Sequence, residues 1–320
     1  MAKYIGIDIG GTKCATLIAE DDKDGLRFIS RVEEKTAGGY GAIIAKLKEN
    51  IQKQLDDAAL TIDDIKSIGI SCGGPLNEET GVVLSPPNLP DWDNVPVCKM
   101  IQETFPVPCY LMNDANACAL AEYKFGSGIG SKNFIFMTYG TGLGAGIILN
   151  GELYSGSSSM AGEVGHIRIS SRGETCYNKK GCFESFCSGA GMRLHAITYL
   201  KNELKKGKEI FWDSERLEEL TVRDIKKYAD MGNKQALRIY EKAGYYLGKG
   251  LAILVDILNP EAICIGSIYT RAEEYIRPQM LKMLKKEALP ETYSAVQVVP
   301  SVLKERIGDY GAITVAKSRE

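Results

Sequence analysis

The chain has 320 residues, 44% of them hydrophobic and 25% charged, with 39 Lys and Arg against 41 Asp and Glu. That length is long for one hydrophobic core and comfortable for two domains. A formal charge of −2 supplies no basic field for nucleic acid or anionic lipid, so neither is expected as a partner. Met-Ala-Lys leads straight into a strand, without the charged-then-apolar order of a signal peptide, and no apolar run reaches the roughly 18 residues of a membrane span. Nine cysteines, an odd number, lie scattered in apolar contexts such as Cys14, Cys118 and Cys264. They read as reduced thiols in a cytoplasmic protein.

In chain order, the first predicted strand is 4–9, followed by strand 14–20, the polar stretch Asp21 to Gly25, and strand 26–34: a three-stranded meander. Residues 40–59 carry Ile43, Ile44, Leu47, Ile51 and Leu55 on one helical stripe. Strands at 67–71 and 109–112 and a helix from Asn116 to Tyr123 complete a βββαβαβα order. The outline then repeats, with strand 134–138, a glycine turn, strand 145–149, the Asn150-Gly151 hairpin and strand 152–154. A helical block from about 189 to 258 ends at the stop signal Asn259-Pro260, before the strand Ala262 to Gly266. The last helix, Gly308 to Ala316, is expected to cross back to the first domain. The repeat implies an internally duplicated α/β chain with a cleft between its halves.

Two strands break into glycine turns 130 residues apart. The first, starting at Tyr4, carries Asp8, Gly10, Gly11, Thr12 and Lys13; the second, starting at Phe134, carries Thr138, Gly140, Thr141 and Gly142. Neither matches a Walker A or a dinucleotide fingerprint. Alone, each is equally what a tight hairpin would show. Together, with their polar residues, they suggest two loops closing on one polyphosphate, since glycine lets backbone N–H groups approach the oxygens. Asn113-Asp114 ends a strand and opens a helix. It fits a helix cap, and it fits a general base with a neighbour that orients the hydroxyl being deprotonated; the two roles use different atoms. Glu163, His166 and Glu184 fall within 22 residues and could present acceptors and a donor to vicinal hydroxyls, although a lone His is more often structural.

The Asp-Ile-Gly-Gly-Thr-Lys start, Asn-Leu-Pro-Asp-Trp at 88–92, Asn113-Asp114, Gly140-Thr-Gly-Leu-Gly, Glu163-Val-Gly-His166, Gly181-Cys-Phe-Glu184 and Asn259-Pro260 together resemble the ROK family of sugar kinases and repressors. The resemblance spans essentially the whole chain. It implies the two-domain actin-like ATPase (ribonuclease H-like) fold of the actin/hexokinase/heat-shock ATPase superfamily. The expected division is residues 1–117 plus about 305–320 in a small domain and 118–304 in a large one, separated by an interdomain cleft. It also implies ATP and Mg²⁺, with Asp114 as the base that deprotonates the attacking sugar hydroxyl. Gly74, Pro75, Asn88, Asn113, Glu163, His166 and Glu184 match sugar-binding positions. Asp8 matches the Mg²⁺-associated aspartate; Gly10, Gly11, Thr12 and Lys13 match the first phosphate loop, Gly140, Thr141 and Gly142 the second, and Gly266 the start of the adenosine motif.

Several positions depart from the family pattern. Many members bind structural zinc through a His and three Cys, but Thr175 and Tyr177 occupy the first two cysteine positions. His166 and Cys182 remain, and Cys176 and Cys187 lie nearby at spacings loose for a zinc knuckle. The simpler expectation is a loop folded without metal, leaving His166 for the sugar. Asp91 stands where glycine is frequent, and Gly266-Ser267-Ile268 lacks further glycines, so sugar preference and base affinity are open. The resemblance implies an ATP-dependent kinase acting on a hexose hydroxyl, first the 6-OH of glucose, alternatively N-acetylglucosamine, N-acetylmannosamine or fructose. A sugar-responsive repressor is disfavoured because only three residues precede the first strand; a non-catalytic sugar sensor is disfavoured by Asp114. Relatives lead to the expectation of a homodimer or homotetramer.

Overall fold

A computed structural model describes residues 1–23, 25–176 and 178–318. Asp24 of the predicted polar turn, Tyr177 of the predicted loop, and Arg319 and Glu320 of the predicted small domain lie outside the described residues. The chain divides into two compact units, the first made of 1–129, 153–161 and 303–320, the second of 130–152 and 162–302.

The first unit opens with β1 (Lys3–Ile9), β2 (Lys13–Asp22) and β3 (Gly25–Lys35), then α1 (Tyr40–Asp57), β4 (Ile65–Cys72), the short strands β5 (Leu76–Asn77) and β6 (Val82–Val83), α2 (Val97–Gln102), β7 (Cys109–Asn113) and α3 (Asp114–Phe125). The main sheet runs β3-β2-β1-β4-β7, with β1 antiparallel to β2 and parallel to β4. Apart from the two-residue strands β5 and β6, this is the βββαβαβα order read from the sequence, with α2 as the helix between β4 and β7. Helix α1 buries Ile43, Ile44, Leu47, Ile51 and Leu55, the stripe set by its 3.6-residue period. The C-terminal helix, Ile307–Lys317, lies on the sheet, and its fit depends on Gly69. A Cβ there would sit 2.2 Å from the Ala312 carbonyl oxygen. Ser67 Oγ donates to the Ala316 carbonyl at 2.7 Å.

The second unit repeats the pattern. It contains β8 (Phe134–Tyr139), β9 (Leu143–Leu149), β10 (Glu152–Leu153), the hairpin strands β11 (Thr175–Cys176) and β12 (Lys179–Lys180), α4 (Glu184–Cys187), α5 (Gly189–Lys205), α6 (Val222–Asp230), α7 (Lys234–Leu258), β13 (Ala262–Ile265), α8 (Ile268–Glu287), α9 (Pro290–Ala295) and β14 (Gln297–Pro300). Its sheet runs β10-β9-β8-β13-β14. The expected helical block from 189 to 258 is three helices. Gly207 and Gly232 adopt φ of +73° and +75°, a capping box at Thr221 and Asp224 starts α6, and Asn233 caps α7. The stop at Asn259-Pro260 holds, with Asn259 left-handed at φ +43°. Among the described residues no helix is long and apolar enough to cross a membrane.

Candidate functional site

In the first unit, the β1–β2 turn is closed by Gly10 N–H donating to the Lys13 carbonyl at 3.1 Å. Thr12 and Lys13 are exposed, and Lys13 Nζ lies 2.9 Å from Glu33 Oε2. A Cβ on Gly11 would stand 2.5 Å from the Asn88 carbonyl oxygen, so the first glycine loop and the 88–92 segment are in contact. Gly74, which precedes Pro75 through a cis peptide, faces the Asn113 side-chain amide in the same way, at 3.2 Å.

Asn113 is the N-cap of α3, its Oδ1 accepting from the N–H groups of Ala115 and Asn116. Asp114 is the first residue of the helix and remains solvent-accessible, its Oδ1 accepting from Ala115 N–H at 2.8 Å. The helix cap and the candidate base are thus separate residues. Crowding by protein raises the Asp114 pKa by desolvation, partly offset by the N–H groups of Ala115 and Asp114 itself. Asp8 is half-buried, and desolvation, then the negative charges of Asp114 and Asp309, push its carboxyl up to about 7. Asp309 is buried on the C-terminal helix, both carboxylate oxygens 2.9 Å from Arg31 Nε.

In the second unit, the β8–β9 turn is closed by Gly140 N–H donating to the Gly142 carbonyl at 3.1 Å. Glu184 opens α4 with its Oε2 accepting from Leu143 N–H at 2.8 Å and its Oε1 from Cys176 Sγ at 3.2 Å. Glu163 Oε2 and His166 Nε2 are 4.0 Å apart at the ends of one short turn, both half-exposed. Gly266 N–H donates to the Met137 carbonyl at 3.0 Å, tying the end of β13 to β8.

A cavity of about 600 Å³ is walled by Gly140 and Thr141, by Gly189 at the start of α5, and by Ser267, Ile268 and Arg271 at the start of α8. Gly189 N–H donates to the Gly140 carbonyl at 2.7 Å. Apolar walls for a planar base beside a glycine loop for phosphates are what a nucleotide requires. For Mg²⁺, which binds through one or two carboxylates while phosphates and water complete its shell, the crowded negative charge at Asp8 fits; the ion would be held there with phosphate oxygens. Among the described residues no cluster of three or more His, Cys, Asp or Glu is arranged to hold a metal. Cys182 Sγ instead donates to the Cys176 carbonyl and Cys187 Sγ to that of Ala243.

The expected residues fall into two sets. Asp8, the first glycine loop, Gly74, Pro75, Asn88, Asn113 and Asp114 belong to the first unit; the second glycine loop, Glu163, His166, Glu184 and Gly266 belong to the second. Sequence reasoning missed Asp309, Cys176 as a partner of Glu184, and the cavity cations Arg193, Arg223, Lys226 and Arg271. Ser188-Gly-Ala-Gly191 at a helix start was a signal available for the Gly189 wall.

A family model for the ROK family matches residues 4–319. The chain belongs to the ROK family. It is 29% identical to a glucokinase of Thermotoga maritima across 99% of this chain and 98% of that one. It is 30% identical to the xylose repressor of Caldicellulosiruptor bescii, across 99% of this chain and 79% of the repressor. The crystal structure of a ROK family glucokinase from Streptomyces griseus in complex with glucose and AMPPNP superposes with a TM-score of 0.78 at 27% identity, covering 99% of this chain and 100% of that one. The expected actin-like ATPase fold is thus the fold of this ROK protein.

Proposed function

We propose that this ROK protein transfers the γ-phosphoryl group of ATP to a hexose hydroxyl, with the 6-hydroxyl of glucose as first acceptor and Asp114 as general base. The class of the reaction, ATP-dependent hexose phosphorylation, rests on family membership and on glucokinase relatives aligned end to end. The observation that carries the rest is Asp114 itself. It is accessible, its neighbour Asn113 takes the capping duty, and its proton affinity is raised, as a base working near neutral pH requires.

In this reading Glu163, His166 and Glu184 hold sugar hydroxyls, and Asn88, Asn113, Gly74 and Pro75 are further sugar-binding positions. Vicinal hydroxyls bridged by fixed carboxylates set Asp114 against one oxygen and reject acceptors that lack them. Gly10 and Gly140 close the two turns, whose remaining backbone N–H groups, among Gly11 to Lys13 and Thr141 to Gly142, face the phosphates in this reading, and Gly266 lies at the adenosine. Mg²⁺ beside Asp8 would offset the charge of the phosphates.

A cytoplasmic homodimer or homotetramer, with the 166–187 loop folded without zinc, completes the proposal; light scattering and metal analysis of the purified protein check both. The reading is tested by coupled ADP release with a hexose panel. Glucose-dependent turnover with ATP supports it, turnover with N-acetylglucosamine, N-acetylmannosamine or fructose alone reassigns the acceptor, and no hexose-stimulated ADP release rejects it.

A further inference from the structure

Directly behind Glu184 lies a second cavity, of about 330 Å³, walled by Ser185 and Phe186 of α4, by His195, Thr198 and Tyr199 of α5, and by Lys242 of α7. None of these residues belongs to the site described above. Lys242 Nζ stands 3.3 Å from His195 Nδ1. With the Lys242 ammonium donating, Nδ1 of a neutral ring accepts, and the ring Nε2–H is left as a further donor. Desolvation and Lys242 push the His195 pKa down to about 4, and desolvation lowers that of Lys242.

The acid on this wall is Glu174, whose Oε1 is taken by Thr198 Oγ1 at 3.0 Å. The buried Tyr199 hydroxyl lies beside the Arg238 guanidinium, which can donate to its oxygen and leave its O–H as a donor. Arg238 and Glu241 share with Lys242 the adjoining surface recess. Asn202 adds an amide to the cavity wall. Lys242, His195, Tyr199 and the Asn202 amide thus bring donors to a lining with one carboxylate, and because a buried donor left unmatched is costly, a ligand with several acceptor oxygens suits it. The donors come from two helices, α5 and α7, and an oxyanion with three or four acceptor oxygens can take bonds from both.

We infer that this cavity is a binding site for phosphate or a phosphate monoester, held by Lys242, His195 and Tyr199 and set against the back of the helix that carries Glu184. Glu174 also adjoins β11, whose Cys176 thiol donates to Glu184. Filling the cavity thus perturbs both the helix and the thiol that fix this carboxylate. On the reading that Glu184 holds the hexose, anion and sugar affinities are coupled reciprocally.

The chain's two histidines, His166 and His195, allow a test independent of catalysis. Imidazole NMR resonances, assigned with His195→Gln, are followed while inorganic phosphate and, separately, glucose 6-phosphate are titrated into the full chain saturated with a non-hydrolysable ATP analogue. Saturable movement of the His195 resonances, with its titration midpoint rising from about 4 and the response lost in Lys242→Met, supports the site. The tighter of the two probes identifies whether free phosphate or an ester is the ligand. His195 resonances unmoved by millimolar levels of either probe, or moved equally in a folded Lys242→Met protein, overturn it. The kinase reading stands or falls separately, on ADP release.

Discussion

Glu184 accepts a 2.8 Å hydrogen bond from the backbone N–H of Leu143, and a Cβ on neighbouring Gly142 would stand 2.9 Å from the same carboxylate oxygen. The carboxylate proposed for the sugar and the loop proposed for the phosphates are therefore one structural piece. Glu184→Gln keeps an acceptor for Leu143 and discards the charge. Loss of a charge-assisted hydrogen bond, about 1.5–3 kcal/mol, corresponds to a hexose KM raised roughly ten- to hundredfold with a smaller change in kcat. Steady-state kinetics at saturating ATP check this.

Gly11→Ala tests the contact between the first glycine loop and Asn88. With a Cβ 2.5 Å from a backbone oxygen, the loop or the 88–92 segment must shift. The expected outcome is a raised KM for both ATP and hexose in a protein whose melting temperature is little changed, because Gly11 is exposed. A change confined to one substrate would show that the contact does not join the two sites.

The framework of this fold is legible in its periodicities. The β1 to α3 order, the α1 stripe and the Asn259 stop all follow from local pattern, as does the glycine turn on each sheet. Long-range partners leave no local mark. Asp309 lies nearly 200 residues from Asp114, and only folding brings the C-terminal helix against β1 and β4. β14, four residues ending in Pro300, is too short to show alternation, and α8 is obscured by Pro278 and a kink at Ala272. Asn113-Asp114 reads as a cap or a base, and the structure gives the cap to Asn113.

Proton affinity at Asp8 and Asp114 sets the pH response. Both carboxyls are raised, Asp8 to about 7, so kcat/KM is expected to climb with pH through that region as Asp8 ionises, with the raised Asp114 carboxyl adding to the acid-side loss. For stability the sign is opposite. A carboxyl raised in the folded state binds more protons there than when unfolded, so its contribution is fully present below the ordinary carboxylate pKa and is lost as pH rises through about 7. Melting temperatures of the Mg²⁺-free protein should therefore carry a declining component over that interval, flattened in Asp8→Asn and opposed by added Mg²⁺. An undiminished decline in Asp8→Asn would contradict this.

Arg31 holds Asp309 through Nε, 2.9 Å from each carboxylate oxygen, close to the charge of Asp8. Arg31→Met strands a buried carboxylate. The expected cost is about 1–3 kcal/mol in urea unfolding, with part of it recovered in the double variant Arg31→Met, Asp309→Asn. Equal stability of the single variant and the parent would show that the pair is solvated well enough not to matter.

The role of Asp114 is settled by Asp114→Ala, assayed for glucose-dependent ADP release alongside calorimetric glucose binding. Removal of a general base is expected to cost roughly 10²- to 10⁴-fold in kcat while glucose still binds within a few-fold of its original affinity. Turnover near that of the parent protein, with binding intact, would contradict the assignment of Asp114 as the base.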